Sequence, residues 1–232
     1  MTRDEPTTKT VLILANSRKL EPGRCVAGIE VIDGHAGVWV RPVSARPHGE
    51  VSKYERNYEN GDEPELLDLV EIPLIRPVPA NYQSENWLLD PSVYWTKVGQ
   101  VSHRSLERIL DGRDLWIDGT TSTRAGLHDE VPLSVAARHT DSLRLIHVGD
   151  LQYRVFAPGA DFGNPKRRVQ AHFTHVGVEY RLWVTDPNVE DALLASPDGN
   201  YAVGGAYLTV SLGEPHNGYT YKLVAAVMPL GT

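Results

Sequence analysis

Residues 169–196 read VQAHFTHVGVEYRLWVTDPNVEDALLAS. Two β-rich stretches flank Val176-Gly177, which predicts a two-residue hairpin turn. With that turn, Phe173 opposes Tyr180, His172 opposes Arg181 and Gln170 opposes Trp183. Val169, Ala171, Phe173, Val178, Tyr180, Leu182 and Val184 then share the core face. The other face carries Gln170, His172, Arg181 and Trp183, with Glu179 and Thr174 toward the turn. Directly after the hairpin, Asp186 is placed to cap a helix, Pro187 takes its first position, and acids follow in the first turn.

Working outward, 142–148 and 151–157 read as strands before the hairpin, and 206–212 and 221–230 as strands after the helix. A helix between a hairpin and two closing strands is the layout of a five-stranded Greek-key barrel, the OB-fold. The first half has the same rhythm. Strands are expected at 10–15, 25–32, 37–43 and 66–76, with a turn at 33–35. Residues 101–112 predict a helix on Leu106, Ile109 and Leu110, stopped by Gly112. The expected fold is mainly β: two tandem OB-like five-stranded Greek-key barrels, each with one short helix. The first is expected over 9–117, a linker or interdomain segment over 118–141, and the second barrel over 142–230. Residues 1–8 are polar and expected to fray.

The chain has 232 residues, 20 glycines and 16 prolines, which suits many short strands. Its formal charge of −7 argues against bulk electrostatic attraction to nucleic acid, so any such role rests on local basic patches. Cys25 is the one cysteine, which excludes an internal disulfide and a thiolate-rich zinc site. No apolar run approaches a membrane span and the first residues hold no apolar signal core, so a cytoplasmic protein without membrane contact is expected.

Three clusters suit a ligand. Asn16, Ser17, Arg18 and Lys19 follow the first strand, Arg24 opens the second and Arg41 closes the third. Four cations and two small polar residues at strand ends fit a phosphate. In WVRPVS (39–44), alternation puts Val38 and Val40 on one face and Trp39 and Arg41 on the other, with Pro42 expected to end the ladder. A ring beside a guanidinium is how OB-folds hold single strands. The competing reading packs Trp39 in an interior and pairs Arg41 with a carboxylate. The second cluster is the outer hairpin face, His172, Arg181 and Trp183. The third is the basic run Lys166, Arg167 and Arg168, which a solvated loop explains equally well.

Catalytic signals are thin. His172 and His175 fall on opposite faces of one strand, which argues against a metal shared with Asp186. Cys25 reads as a small buried residue. Glu85, in YQSEN, has no second carboxylate at a meaningful spacing. Lys222 reads as a ligand contact or an edge charge. Phosphate-loop, nucleophile-elbow and zincin motifs are absent from the sequence. No catalytic residue, metal or cofactor is assigned.

VLILANSRK, GRCVAGIEV, WVRPVS, YQSEN, VTDP and YKLVAAV, in that order from about residue 10 to 228, resemble the dual OB-containing domain, a family of bacterial proteins. The resemblance implies tandem OB-folds and a presumed nucleic-acid-binding role, and brings no catalytic residues. Three functions follow. The first is a binding module for single-stranded nucleic acid or a nucleotide-like ligand, of modest and salt-dependent affinity. The second is a hydrolase acting on nucleotides or nucleic acid where the domains meet, using Asn16, Lys19, Glu85 and Asp186. The third is a protein-interaction subunit of a bacterial assembly, such as one used in phage defence, docking through Glu59–Asp68 and the long loops.

Overall fold

The computed structural model describes residues 6–19 and 22–230. Part of the tail expected to fray, residues 1–5, lies outside them, as do residues 20–21 next to the Pro-Gly turn. The chain forms two compact units, residues 1–109 and 110–232.

The first unit holds β1 (Thr7–Arg18), β2 (Arg24–Ile32), β3 (His35–Val43), α1 (Lys53–Arg56), β4 (Asp68–Pro77), β5 (Asn86–Leu89) and β6 (Thr96–Gln100). Its strands run in the order β1-β2-β3-β5-β4, and β1 also pairs with β4, which closes a barrel; β6 is added on β4. The β3–β5 pairing is parallel. The interior is apolar, with Val11, Ile13, Val26, Val40, Ile72 and Leu74 fully buried. Closure needs a bend in β1. It comes at Leu14, where the ladder with β2 skips a residue between Ile13↔Gly28 and Ala15↔Ala27.

The second unit holds β7 (Glu130–Pro132), α2 (Leu133–Ala136), β8 (Leu143–Phe156), β9 (Arg168–His175), β10 (Val178–Val184), α3 (Pro187–Leu194), β11 (Gly199–Leu212) and β12 (Tyr219–Pro229). Its order β8-β9-β10-β12-β11, closed by β8–β11, repeats the first barrel, again with one parallel pairing, β10–β12. In each barrel a helix stands between the third and fourth strands. Both are the five-stranded Greek-key arrangement expected. Each also carries a sixth strand, β6 or β7, which the sequence reading omits.

The hairpin has the expected register, with Phe173↔Tyr180, His172↔Arg181 and Gln170↔Trp183. Phe173 and Tyr180 are buried and stacked at 5.6 Å between ring centroids. Val176 takes φ 49° and Gly177 φ 75°, as a type I′ turn requires. Asp186 caps α3 by accepting from Asn188 N at 3.0 Å and Val189 N at 3.5 Å. Its other oxygen accepts from Val227 N at 3.0 Å, which ties the helix start to β12.

Several boundaries differ from expectation. Residues 101–112 are not an α-helix: His103–Ile109 are 3-10 turns. Of the expected apolar face only Leu106 is buried, and a short helix without a packed face is marginal. Residues 110–117 belong to the second unit, where Leu115 and Trp116 are buried and Trp116 Nε1 donates to Asp141 Oδ1 at 2.9 Å. Residues 118–141, expected as a linker, carry β7 and α2. Val131 and Ala136 are fully buried there. The readings 142–148 and 151–157 are one strand, β8, and Asn16–Arg18 extend β1 rather than forming a connection. Among the described residues no helix is long and apolar enough to cross a membrane.

Candidate nucleic-acid interface

Alternation along β8, β9 and β10 lays three rows across the outer face of the second barrel. Gln152 opposes His172, which opposes Arg181. Arg154 opposes Gln170, which opposes Trp183. Phe156 opposes Arg168. The two aromatics lean together, with centroids 5.8 Å apart and planes 28° from parallel. Each is covered by a guanidinium: Arg154 lies 4.3 Å from the Phe156 centroid and Arg168 lies 4.1 Å from that of Trp183. Such contacts contribute about 0.5–2 kcal/mol. Among the described residues neither the Arg154 nor the Arg168 guanidinium makes a hydrogen bond or ion pair. Burial pushes the pKa of Arg168 below its ordinary value, with Glu190 opposing. The rings thus position two guanidiniums whose N–H edges remain available to a phosphate.

A strap, residues 118–132, lies along one side of this face. Leu127 exchanges two backbone hydrogen bonds of 3.2 Å with Arg181, while Glu130–Pro132 pair with β12. The strap therefore fills the gap that the short β10–β12 pairing leaves. His128 Nδ1 lies 3.0 Å from the Glu179 carbonyl oxygen. Gln170 Nε2 donates to Ala125 O at 2.8 Å. That contact corrects one expectation: Gln170 is on the outer face but fully buried beneath the strap. His172 and Arg181 remain half-buried beside it.

The run Lys166–Arg168 does not act as one patch. Lys166 is exposed. Arg167 turns to the end of α3 and donates to Leu194 O at 2.9 Å, Ser196 O at 2.6 Å and Asp198 Oδ1 at 2.6 Å. It holds the carbonyls that a helix C-terminus leaves unpaired. Arg168 alone reaches Trp183.

In the first unit the expected site is dispersed. Asn16 Nδ2 donates to Pro64 O at 3.0 Å, and Ser17 is buried with its hydroxyl 3.5 Å from Cys25 O. Arg18 and Arg24 oppose each other across β1 and β2. Lys19 Nζ donates to His48 O. Trp39 opposes Ile29, five residues along β2 from Arg24, a separation of about 17 Å at strand rise. Arg41 is buried and pairs with Glu85 at 3.0 Å, with Asn86 Oδ1 at 3.4 Å. The carboxylate-paired reading therefore holds for Arg41. Val38 does not join Val40 in the core; it is 67% exposed, because the β2–β3 ladder shifts between Ile29 and Val31. Pro42 does not end the strand either. It opposes Trp87 in the parallel ladder, where Arg41 N donates to Glu85 O at 2.8 Å. Alternation turns the ring nitrogen of Pro42 to the other side, past the last β2 pairing, so no ladder hydrogen bond is lost.

The model of the dual OB-containing domain matches residues 9–227. The chain belongs to this family. Among solved structures, that of the tetrameric p202 HIN2 is 8% identical, with a TM-score of 0.33 over 99% of this chain and 95% of that one. No match is found among curated proteins. Family membership and the repeated strand order agree that each unit is an OB-fold.

Within an OB-fold, the second and third strands and the loop between the first and second are the usual ligand-facing parts. Here those are β9, β10 and the loop 157–167. That loop presents Phe162, 69% exposed, with the Arg124 guanidinium 4.2 Å from its ring centroid. Arg124, Arg154, Phe156 and Phe162 are the members of this region that the sequence reading missed. Gln152, Arg154 and Phe156 alternate visibly in LQYRVF, but nothing local says which strand lies beside them.

Of the residues considered for catalysis, Glu85, Asp186 and His175 have structural partners, and Cys25 is half-buried rather than buried. Glu85 is held by Arg41, and Asp186 by α3 and β12. His175 Nε2 lies 2.8 Å from Arg113 O, on the face opposite His172. Among the described residues no three metal-ligating side chains converge. Lys222 is neither exposed nor at an edge, since β12 pairs with β11, β10 and β7. Its Nζ donates to Thr120 Oγ1 at 2.8 Å, 5.3 Å from the Tyr180 ring centroid. Burial lowers its pKa to about 7, with Asp114 and Asp129 opposing and Arg144 reinforcing.

Between about pH 7 and the ordinary value of 10.5 the unfolded chain holds the Lys222 proton and the folded one does not. Stability therefore rises with pH across that window. Lys222→Met is expected to stabilise the second unit at pH 7 by on the order of 2–4 kcal/mol. The advantage over wild type shrinks as pH approaches 10.5. Urea unfolding of both proteins at several pH values measures it; a destabilised variant at pH 7 would contradict the expectation.

Proposed function

We propose that the second barrel binds single-stranded nucleic acid across β8, β9 and β10. The observation that carries this reading is the Arg154–Phe156–Trp183–Arg168 stack, in which neither guanidinium makes a hydrogen bond or ion pair among the described residues. Bases stack on this aromatic–guanidinium surface, and phosphates meet Arg154, Arg168, Arg181 and Lys166. Phe162 with Arg124 supplies a further platform on the neighbouring loop. Stacking accepts any base, so sequence preference is weak. A duplex hides its base faces and binds less well. Because the whole chain carries −7, affinity depends on this local cluster and falls steeply with salt.

The test is fluorescence anisotropy with short labelled single strands and duplexes at two salt concentrations. Trp183→Ala is expected to weaken single-strand binding by about 1–3 kcal/mol and to leave the salt slope unchanged. Arg154→Ala is expected to flatten that slope by roughly one phosphate contact. Both side chains lie on the outer face, so circular dichroism should show both variants folded. Absence of single-strand binding by wild type at low salt, or full affinity in folded Trp183→Ala, would overturn the reading.

A further inference from the structure

His172 stands among basic side chains on the proposed binding face. Arg181 opposes it on β10, and Arg154 lies one row away on β8. The charged groups that act on it are these two arginines and Glu179. The Arg154 guanidinium makes no hydrogen bond or ion pair among the described residues. Among the described residues the Arg181 guanidinium reaches only Glu179, at 3.3 Å, and its Nε is buried without a partner.

The hydrogen-bond chain fixes the tautomer of His172. Gln170 has spent an amide N–H on Ala125 O, which orients its Oε1 as an acceptor. His172 Nε2, 2.8 Å from that oxygen, must therefore donate. In the neutral ring the lone pair is then on Nδ1, which has no partner among the described residues. A phosphate oxygen arriving there meets lone pair with lone pair unless Nδ1 first takes a proton.

We propose that Arg154, His172 and Arg181 form a phosphodiester subsite, and that filling it transfers one proton from solvent to His172 Nδ1. This rests on the reading of this face as a single-strand site. In the free protein, burial and the two arginines hold the His172 pKa below its ordinary value, against Glu179 alone. A bound phosphate reverses that balance, because its charge favours the imidazolium and its oxygen accepts the new N–H. No other bond is made or broken. Binding tightens as pH falls, by up to about tenfold per pH unit, the limit for one proton. The protein thus reads acidity through the site it uses for the strand.

The test uses the full chain and a labelled oligothymidylate, whose bases do not titrate between pH 5 and 8. NMR titration of His172 is done free and saturated, and anisotropy is measured across the same range for wild type and His172→Gln. The expected result is a His172 pKa at least one unit higher in the complex. Wild-type affinity should fall roughly tenfold from pH 5.5 to 7.5 while His172→Gln stays nearly flat. Binding with an unchanged His172 pKa, or equal pH dependence in the variant, overturns the proton-linked subsite and leaves the binding reading standing. No binding at any pH at low salt overturns both. The wild-type NMR arm decides the matter even if His172→Gln is unstable.

Discussion

Gly28→Ala is expected to unfold the first barrel. A Cβ at Gly28 would lie 2.0 Å from Leu12 O and 2.7 Å from Val11 Cγ1. Real Cβ atoms do not approach within 3.0 Å, and the main obstacle is backbone, which cannot swing aside as a side chain does. Relief requires β1 and β2 to separate where Val11 and Leu12 pair with β2 on one side and β4 on the other. Those shared pairings are what close the barrel, so the damage cannot stay local. Overpacking a core costs about 1–3 kcal/mol when side chains can adjust. Here they cannot, and the loss is expected to exceed ~4 kcal/mol, much of a domain's total stability of about 5–15 kcal/mol. Gly99→Ala is the control. Its new Cβ meets only Leu69 side-chain atoms, at 3.5 Å or more, and should cost less than about 1 kcal/mol. Urea unfolding followed by circular dichroism distinguishes the two; equal stability of the two variants would sink the argument.

Arg41→Ala is expected to cost about 3–5 kcal/mol, because it breaks a buried ion pair by removing one partner. The side chains of the pair are only 6% and 5% exposed. Asn86 loses its guanidinium contact at the same time. The expense is that of a broken buried ion pair, so removing both charges should recover most of it. Arg41→Met combined with Glu85→Leu is expected to be within about 1 kcal/mol of wild type, or more stable. Thermal unfolding of the two single variants and the double variant gives the coupling. Nucleic-acid binding by the folded fraction of Arg41→Ala should keep the wild-type salt slope. A slope flattened by one contact would return Arg41 to the list of phosphate ligands.

Arg41 and Pro42 show why the first barrel's fold is legible in the sequence while the surroundings of its side chains are not. Pro42 after Arg41 reads locally as a strand end, and Trp39 beside Arg41 reads as a ligand face. Both inferences assume that a strand's second side is open. In the barrel β3 has β2 on one side and β5 on the other. The β5 strand brings Glu85 and Asn86, which no pattern around Arg41 foretells. Similarly, the apolar spacing of Leu106, Ile109 and Leu110 predicts a helix, but of the three only Leu106 is buried. Asp111 N is drawn to Leu145 O instead, inside the next unit.

What depends on near neighbours is legible in the chain's local pattern. A two-residue turn sets the register of every pair in the β9–β10 hairpin, and Asp186 followed by Pro187 starts α3. Alternation then chose which side chains leave the core, so His172, Arg181 and Trp183 were assigned to the outer face. The order of hairpin, helix and two strands was enough for the barrel class. Which outward side chains meet is set by how distant strands pack. Phe156 reaches Trp183 across β9, Arg167 is consumed at the end of α3, and Arg168 is left on the ring. The strap then buries Gln170 and turns it toward His172. The reason is physical: turns and caps are short-range hydrogen-bond problems, whereas a site is made where distant strands close into one surface.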